Sequence, residues 1–164
     1  MRGRKLVVAA SLLMVGCGFH LRGSGVDADV ASAYVRAGQG VDIVTDLTRA
    51  LRQSGVDILD DAAQAAVVID LLEQQQSGRA VSFTDRATTA EYQLDLSVRF
   101  QILAADEKVL TPERWARATR TYLVDTNNLV GSDQQRRLLS GELGNDLAQQ
   151  IVRALSAAMR TNRH

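Results

Sequence analysis

Cysteine, histidine and lysine are all scarce in this chain of 164 residues, and each scarcity closes off a class of function. The one cysteine, Cys17, has no second thiol to pair with, so no disulfide staples the fold. The two histidines, His20 and His164, lie near opposite ends, and a metal site or a Ser-His pair would require those ends to meet. Lys5 and Lys108 are the only lysines and there is no basic run, which argues against a nucleic-acid partner. No Gly-rich phosphate loop, CxxC or HExxH pattern occurs. Asp60-Asp61 and Asp106-Glu107 fall in turn-like stretches and read as solvated loops, and nothing selects a carboxylate pair for glycoside chemistry. The expectation is a protein with no catalytic residue, no metal and no cofactor.

What is present begins at the amino terminus. Arg2, Arg4 and Lys5 precede the apolar run Leu6 to Val15, which is too short to span a bilayer and reads as an export signal. The signal ends Leu13-Met14-Val15-Gly16-Cys17, the pattern of a bacterial lipobox with Met14 where Leu is usual. Cleavage before Cys17 would leave its thiol and amine carrying about three acyl chains, where a single chain holds only marginally. Gly18 stands where Asp would be the commonest signal for inner-membrane retention, so the expected location is the outer membrane, lipid-anchored, on the periplasmic side. Residues 1–16 are then signal peptide, 17–29 an acylated cysteine and Gly-rich tether, 30–160 one domain, and 161–164 a frayed tail. Loss of residues 1–16 leaves sixteen basic against nineteen acidic side chains, a net charge of −3. The remaining cations are almost all arginine, whose fork pairs with phosphate.

The domain reads as α+β. Val30 to Arg36 is a short strand ended by Gly38-Gln39-Gly40, and Ile43, Val44, Leu47, Ala50 and Leu51 follow helical spacing up to Gly55, a C′ glycine. Val56 to Leu59 is briefly extended, and Val67 to Leu72 is a buried strand expected to continue past Gly78 with a bulge there. From Tyr92 to Leu103 apolar and polar residues alternate without a break, which defines a strand with one face on a core and one face wet. A loop from Ala104 to Pro112 leads to a partner strand, Arg114 to Asp125, paired antiparallel. Ser132 to Gln135 has the form of a capping box. Behind it Leu139, Leu143, Leu147, Ile151 and Leu155 stripe a long helix, with Gly141 and Gly144 inside it as candidates for close packing on the sheet. The sum is a two-layer sandwich, two helices on one face of a mixed sheet of about four strands, with the first strand and the Val67 strand joined by one crossover.

Three segments carry a family resemblance: Cys17-Gly18-Phe19-His20-Leu21-Arg22-Gly23, Leu47 to Leu59, and Thr89-Ala90-Glu91-Tyr92-Gln93-Leu94. With the element order they resemble the LptE family of lipopolysaccharide-assembly lipoproteins over the whole mature chain. The resemblance implies a non-enzymatic subunit that plugs the outer-membrane β-barrel LptD, assists its assembly and helps deliver lipopolysaccharide to the outer leaflet. The polar face at Gln93, Asp95, Ser97, Arg99 and Gln101 suits a polar barrel lumen. Arg86 and Arg79 flank Phe83 where the family has a basic loop, and they are the first lipopolysaccharide-binding candidates. Lys108 and Arg117, with Arg114 and Arg120 on the same strand, come second. Where relatives carry another basic residue before the last helix, this chain has Leu129-Val130-Gly131. The alternative reading is a periplasmic lipid carrier or chaperone lipoprotein with no barrel partner, which would need an apolar cavity in place of a filled core. A hydrolase is a third, for which no nucleophile with a base is found.

Overall fold

The computed structural model describes residues 30–83, 89–125 and 129–162, so Cys17, the tether and Arg86 lie outside the described residues. In chain order the elements are β1 (Ser32–Ala37), α1 (Val44–Gln53), β2 (Asp57–Ile58), a 3₁₀ turn (Ala62–Gln64), β3 (Val67–Phe83), β4 (Thr89–Ala104), β5 (Val109–Asp125) and α2 (Leu129–Asn162). They form one mixed five-stranded sheet in the order β2-β1-β3-β4-β5, with β1 parallel to both β2 and β3 and the last three strands antiparallel. The fifth strand is the brief extended piece after Gly55, long enough to pair Ser32 with Asp57 and Ala33 with Ile58.

Helix α1 ends as its sequence requires. Gly55 adopts φ 79°, a conformation open to glycine at little cost, and the Gly55 and Val56 amides donate to the carbonyls of Arg52 and Leu51 at 3.1 Å each. This is a Schellman closure, and it turns the chain directly into β2. At the other end Ile43 has no side chain able to cap, and the task passes to β3: Gln74 Oε1 accepts from the Asp42 and Ile43 amides at 2.9 and 3.3 Å.

β3 does run past Gly78, but the bulge is elsewhere. Register slips between Leu71 and Glu73 and again between Ala80 and Ser82, while Gly78 pairs in step with Leu94. The first slip falls where β1 leaves the sheet. The β4–β5 connection is also tighter than its sequence implied, since only residues 105–108 lie between the strands and Pro112 is inside β5. Glu107 takes φ 63° to close the turn, with its amide on the Ala104 carbonyl at 2.9 Å. Proline is tolerated because β5 is an edge strand with one side unpaired.

The core fills the space between the sheet and both helices. Leu94, Leu96, Val98, Phe100 and Ile102 of β4 face Leu143, Leu147, Ile151 and Leu155 of α2 and Leu47 and Leu51 of α1 in one buried cluster. Helix α2 begins at Leu129, so Ser132 and Gln135 lie inside it and do not mark its start, and it continues through Asn162. Gly144 lets helix approach helix, not helix approach sheet: a Cβ there would lie 2.5 Å from Asp46 Oδ2 of α1, whereas one at Gly141 would meet nothing within 4 Å.

Candidate functional site

The helices cover one face of the sheet, and alternation sends every other side chain of β4 to the opposite face. Gln93, Asp95, Ser97, Arg99 and Gln101 all lie there, half-buried by their neighbours. The register sets Ser77 and Thr119 beside Asp95, Gln75 and Arg117 beside Ser97, and Glu73 and Trp115 beside Arg99.

These rows are hydrogen-bonded across the strands. Thr119 Oγ1 donates to Asp95 at 2.6 Å and Gln93 Nε2 at 2.8 Å, so Asp95 is held below the ordinary carboxylate range, chiefly by the Thr119 hydroxyl and then by Gln93. Arg79 reaches Gln93 Oε1 at 3.4 Å. Arg99 bridges Glu113 at 2.5 Å and Glu73 at 3.2 Å, and the Glu113 bond chiefly raises its pKa further. Glu73 is lowered, first by its hydrogen bond from Gln75 and then by Arg99. Asp70 is the most buried of the set, with only 5% of its surface exposed. Gln101 donates to its Oδ2 at 3.1 Å, and the Arg36 guanidinium stands 3.2 Å from Oδ1.

Among the described residues the basic candidates are not gathered into one cluster. Arg79 and Arg117 share the open face on different strands, and Arg117 stacks 5.9 Å from the Trp115 ring centroid. Lys108 is in the β4–β5 turn, far along the strands from Arg79, and Arg86 lies outside the described residues. Arg114 and Arg120 pair with Phe100 and Leu94, so they stand on the helix side. There Arg120 is neutralised by Asp146 and by Glu142 at 3.7 Å. The period of two in β5 already carried that split, because 114 and 120 share parity and 117 does not. Sequence reasoning missed Asp70, Glu73, Glu113 and Thr119; the bulge between Leu71 and Glu73 brings Asp70 and Glu73 to one face although their parity differs.

Among the described residues no group of three or more His, Cys, Asp or Glu side chains is placed to hold a metal. The gap between α2 and the sheet lined by Phe100, Trp115, Gln150 and Ala154 measures about 30 Å³, room for one water.

The family model for LptE, described as lipopolysaccharide-assembly, matches residues 26–155. The chain belongs to the LptE family. The LPS-assembly lipoprotein LptE of Pectobacterium atrosepticum is 30% identical over 152 residues, covering 89% of this chain and 80% of that protein. Among solved structures, lipoprotein B from Nitrosomonas europaea superposes with TM-score 0.73 at 23% identity, covering 87% of this chain and 93% of that one, which shows the shared fold. A minor lipoprotein from Acinetobacter baumannii gives TM-score 0.64 at 28% identity over 78% of this chain and 92% of that one. LptE-family members are lipoproteins of lipopolysaccharide assembly and not enzymes.

Proposed function

We propose that this LptE-family lipoprotein is anchored through Cys17 to the periplasmic side of the outer membrane. There it plugs the lumen of the β-barrel LptD, assists its assembly, and helps deliver lipopolysaccharide to the outer leaflet. The observation that carries this reading is the open face of β3, β4 and β5. Arg99 is paired there with Glu73 and Glu113, and Asp95 with Thr119 and Gln93, so a polar wall can cover these rows without stranding their charges. A large outer-membrane barrel offers such a wall on its inner side.

In this reading Arg86 and Arg79 are the first contacts for lipopolysaccharide phosphates, with Arg117 and Lys108 as further ones, since residues 17–164, with a net charge of −3, can attract an anion only locally. A free-standing lipid carrier draws no support from the packing, because the space between α2 and the sheet is filled by leucines and valines. The test is extraction of native outer membranes in mild detergent followed by pull-down of this chain. LptD should come down with it in near-equal amount, and Ser97→Trp on the open face should reduce the yield. A chain that extracts alone would sink the barrel reading, and dye or lipid uptake by the soluble domain would favour the carrier.

A further inference from the structure

β3 outlasts its neighbour. β1 pairs with it only from Val67 to Leu71, while β3 itself continues to Phe83 with β4 alongside throughout. The departure of β1 is built in at Gly38, whose amide donates to the Leu71 carbonyl at 2.8 Å. A Cβ at Gly38 would lie 2.7 Å from the Leu72 carbonyl oxygen, so the chain turns away at a contact only glycine allows. One step further, the Gln74 side chain is taken by the start of α1. From Gln75 to Ser82 no strand among the described residues lies on that side, and every second peptide unit turns its N–H and C=O outward.

Long edges are ordinarily blunted by proline, by bulges or by charges aimed outward. The opposite edge, β5, has Pro112 and register breaks opposite Phe100 and Ile102. Between its two bulges β3 has no such defence, since residues 74–78 are uncharged. Its two charges, Glu73 and Arg79, are turned onto the open face and held by Arg99 and Gln93. On the helix side Gln76 Nε2 donates to Ser140 Oγ of α2 at 3.4 Å.

We infer that this edge accepts an extended segment of the barrel partner as an added strand, continuing the line of β1 beyond Gly38. The inference rests on the barrel reading above and names where main-chain contact is made. Outward N–H and C=O groups select an extended backbone, and the uncharged Gln-Gln-Ser-Gly run selects small or uncharged side chains beside it. The edge borders the same rows that form the open face, Ser77 with Asp95 and Gln75 with Ser97, so a partner covering that face already reaches it. A second copy of this chain fits less well, because one short strand pair falls below the roughly 1,200 Å² that a stable interface buries.

The experiment is residue-resolved amide hydrogen exchange on the lipidated chain alone and on its detergent-purified complex with LptD. In the complex, every second amide from Gln75 to Ser82 should slow at least ten-fold, while the amides bonded to β4 are slow in both samples. A complex that forms without this slowing overturns the edge inference and leaves the barrel partner standing. Failure to form the complex removes both. Slow outward amides in the chain alone also overturn it, pointing to a second copy if the slowing grows with concentration and to the chain's own amino-terminal segment if it does not.

Discussion

Replacing Gly38 by alanine tests whether the point where β1 leaves the sheet is as rigid as its geometry implies. The added Cβ would stand 2.7 Å from the Leu72 carbonyl oxygen and 3.3 Å from that of Leu71, both main-chain atoms of a paired strand. No rotamer can move them aside. Relief requires the end of β1 to back away, giving up the Gly38 to Leu71 hydrogen bond, worth about 1 kcal/mol. Overpacking strain adds about 1–3 kcal/mol, and the lower entropy of alanine in the unfolded chain returns about 0.4–1 kcal/mol. The net expectation is a loss of about 1–3.5 kcal/mol. At about 3–5 °C per kcal/mol for a domain of this size, the melting temperature should drop by about 3–18 °C. Gly141→Ala is the control, since its Cβ meets nothing within 4 Å and sits inside α2, where alanine gains about 1 kcal/mol over glycine. Thermal unfolding followed by circular dichroism on residues 17–164 with Cys17→Ala, in the three backgrounds, reads both. A Gly38→Ala protein that melts at or above the parent would refute the idea that a fixed carbonyl wall dictates this glycine.

The open face makes stability acid-sensitive: Asp95 and Glu73 are held below their unfolded values, so their contribution is complete above about pH 5 and is lost as pH falls through the lower folded values. Urea midpoints between pH 2 and 6 should therefore fall less steeply for Asp95→Asn than for the parent, and identical slopes would count against the Thr119 and Gln93 bonds as the cause. Glu107→Gly should raise the urea midpoint, by about 0.5–1 kcal/mol in stability, because φ 63° is strained for glutamate and free for glycine; a drop would show that the turn is held by the Glu107 side chain. For lipopolysaccharide, Arg86→Asp should weaken binding in a pull-down with labelled ligand more than Arg160→Asp, and equal losses would remove the basic loop from the reading.

Some of this architecture could be read directly from the chain. The unbroken alternation of β4 fixed which side chains face the core, and the leucine stripe of α2 fixed its buried face, because both depend only on a local period. Gly55 announced its own helix ending for the same reason. The extent of β3 was harder to see, since Glu73 to Gly78 has neither alternation nor β-branched residues, and only pairing with β4 holds it extended. Gly144 shows another limit. Its sequence context says that something approaches closely, but whether that is sheet or helix depends on where α1 lies, a matter of long-range packing. The sheet order is likewise non-local, set by β3 returning to the far side of β1 from β2. The open face needed the register as well, because Asp95 and Thr119 are 24 residues apart and meet only when β4 and β5 pair in one particular step.

The three long strands have a mechanical consequence. β4 is sixteen residues long, keeps step with β5 from Thr89 to Phe100, and spans about 50 Å from Thr89 to Ala104. That is longer than the roughly 30 Å of a bilayer's hydrocarbon core. Val67 pairs with Ala104, so the end at which the described chain enters the sheet is the end of the β4–β5 turn, and Phe83, Thr89 and Asp125 stand at the other. A force or a displacement applied at one end reaches the other through two antiparallel ladders, stepped at their bulges and backed by one long helix. The molecule is therefore built as a stiff strut, able to hold two ends a membrane's thickness apart.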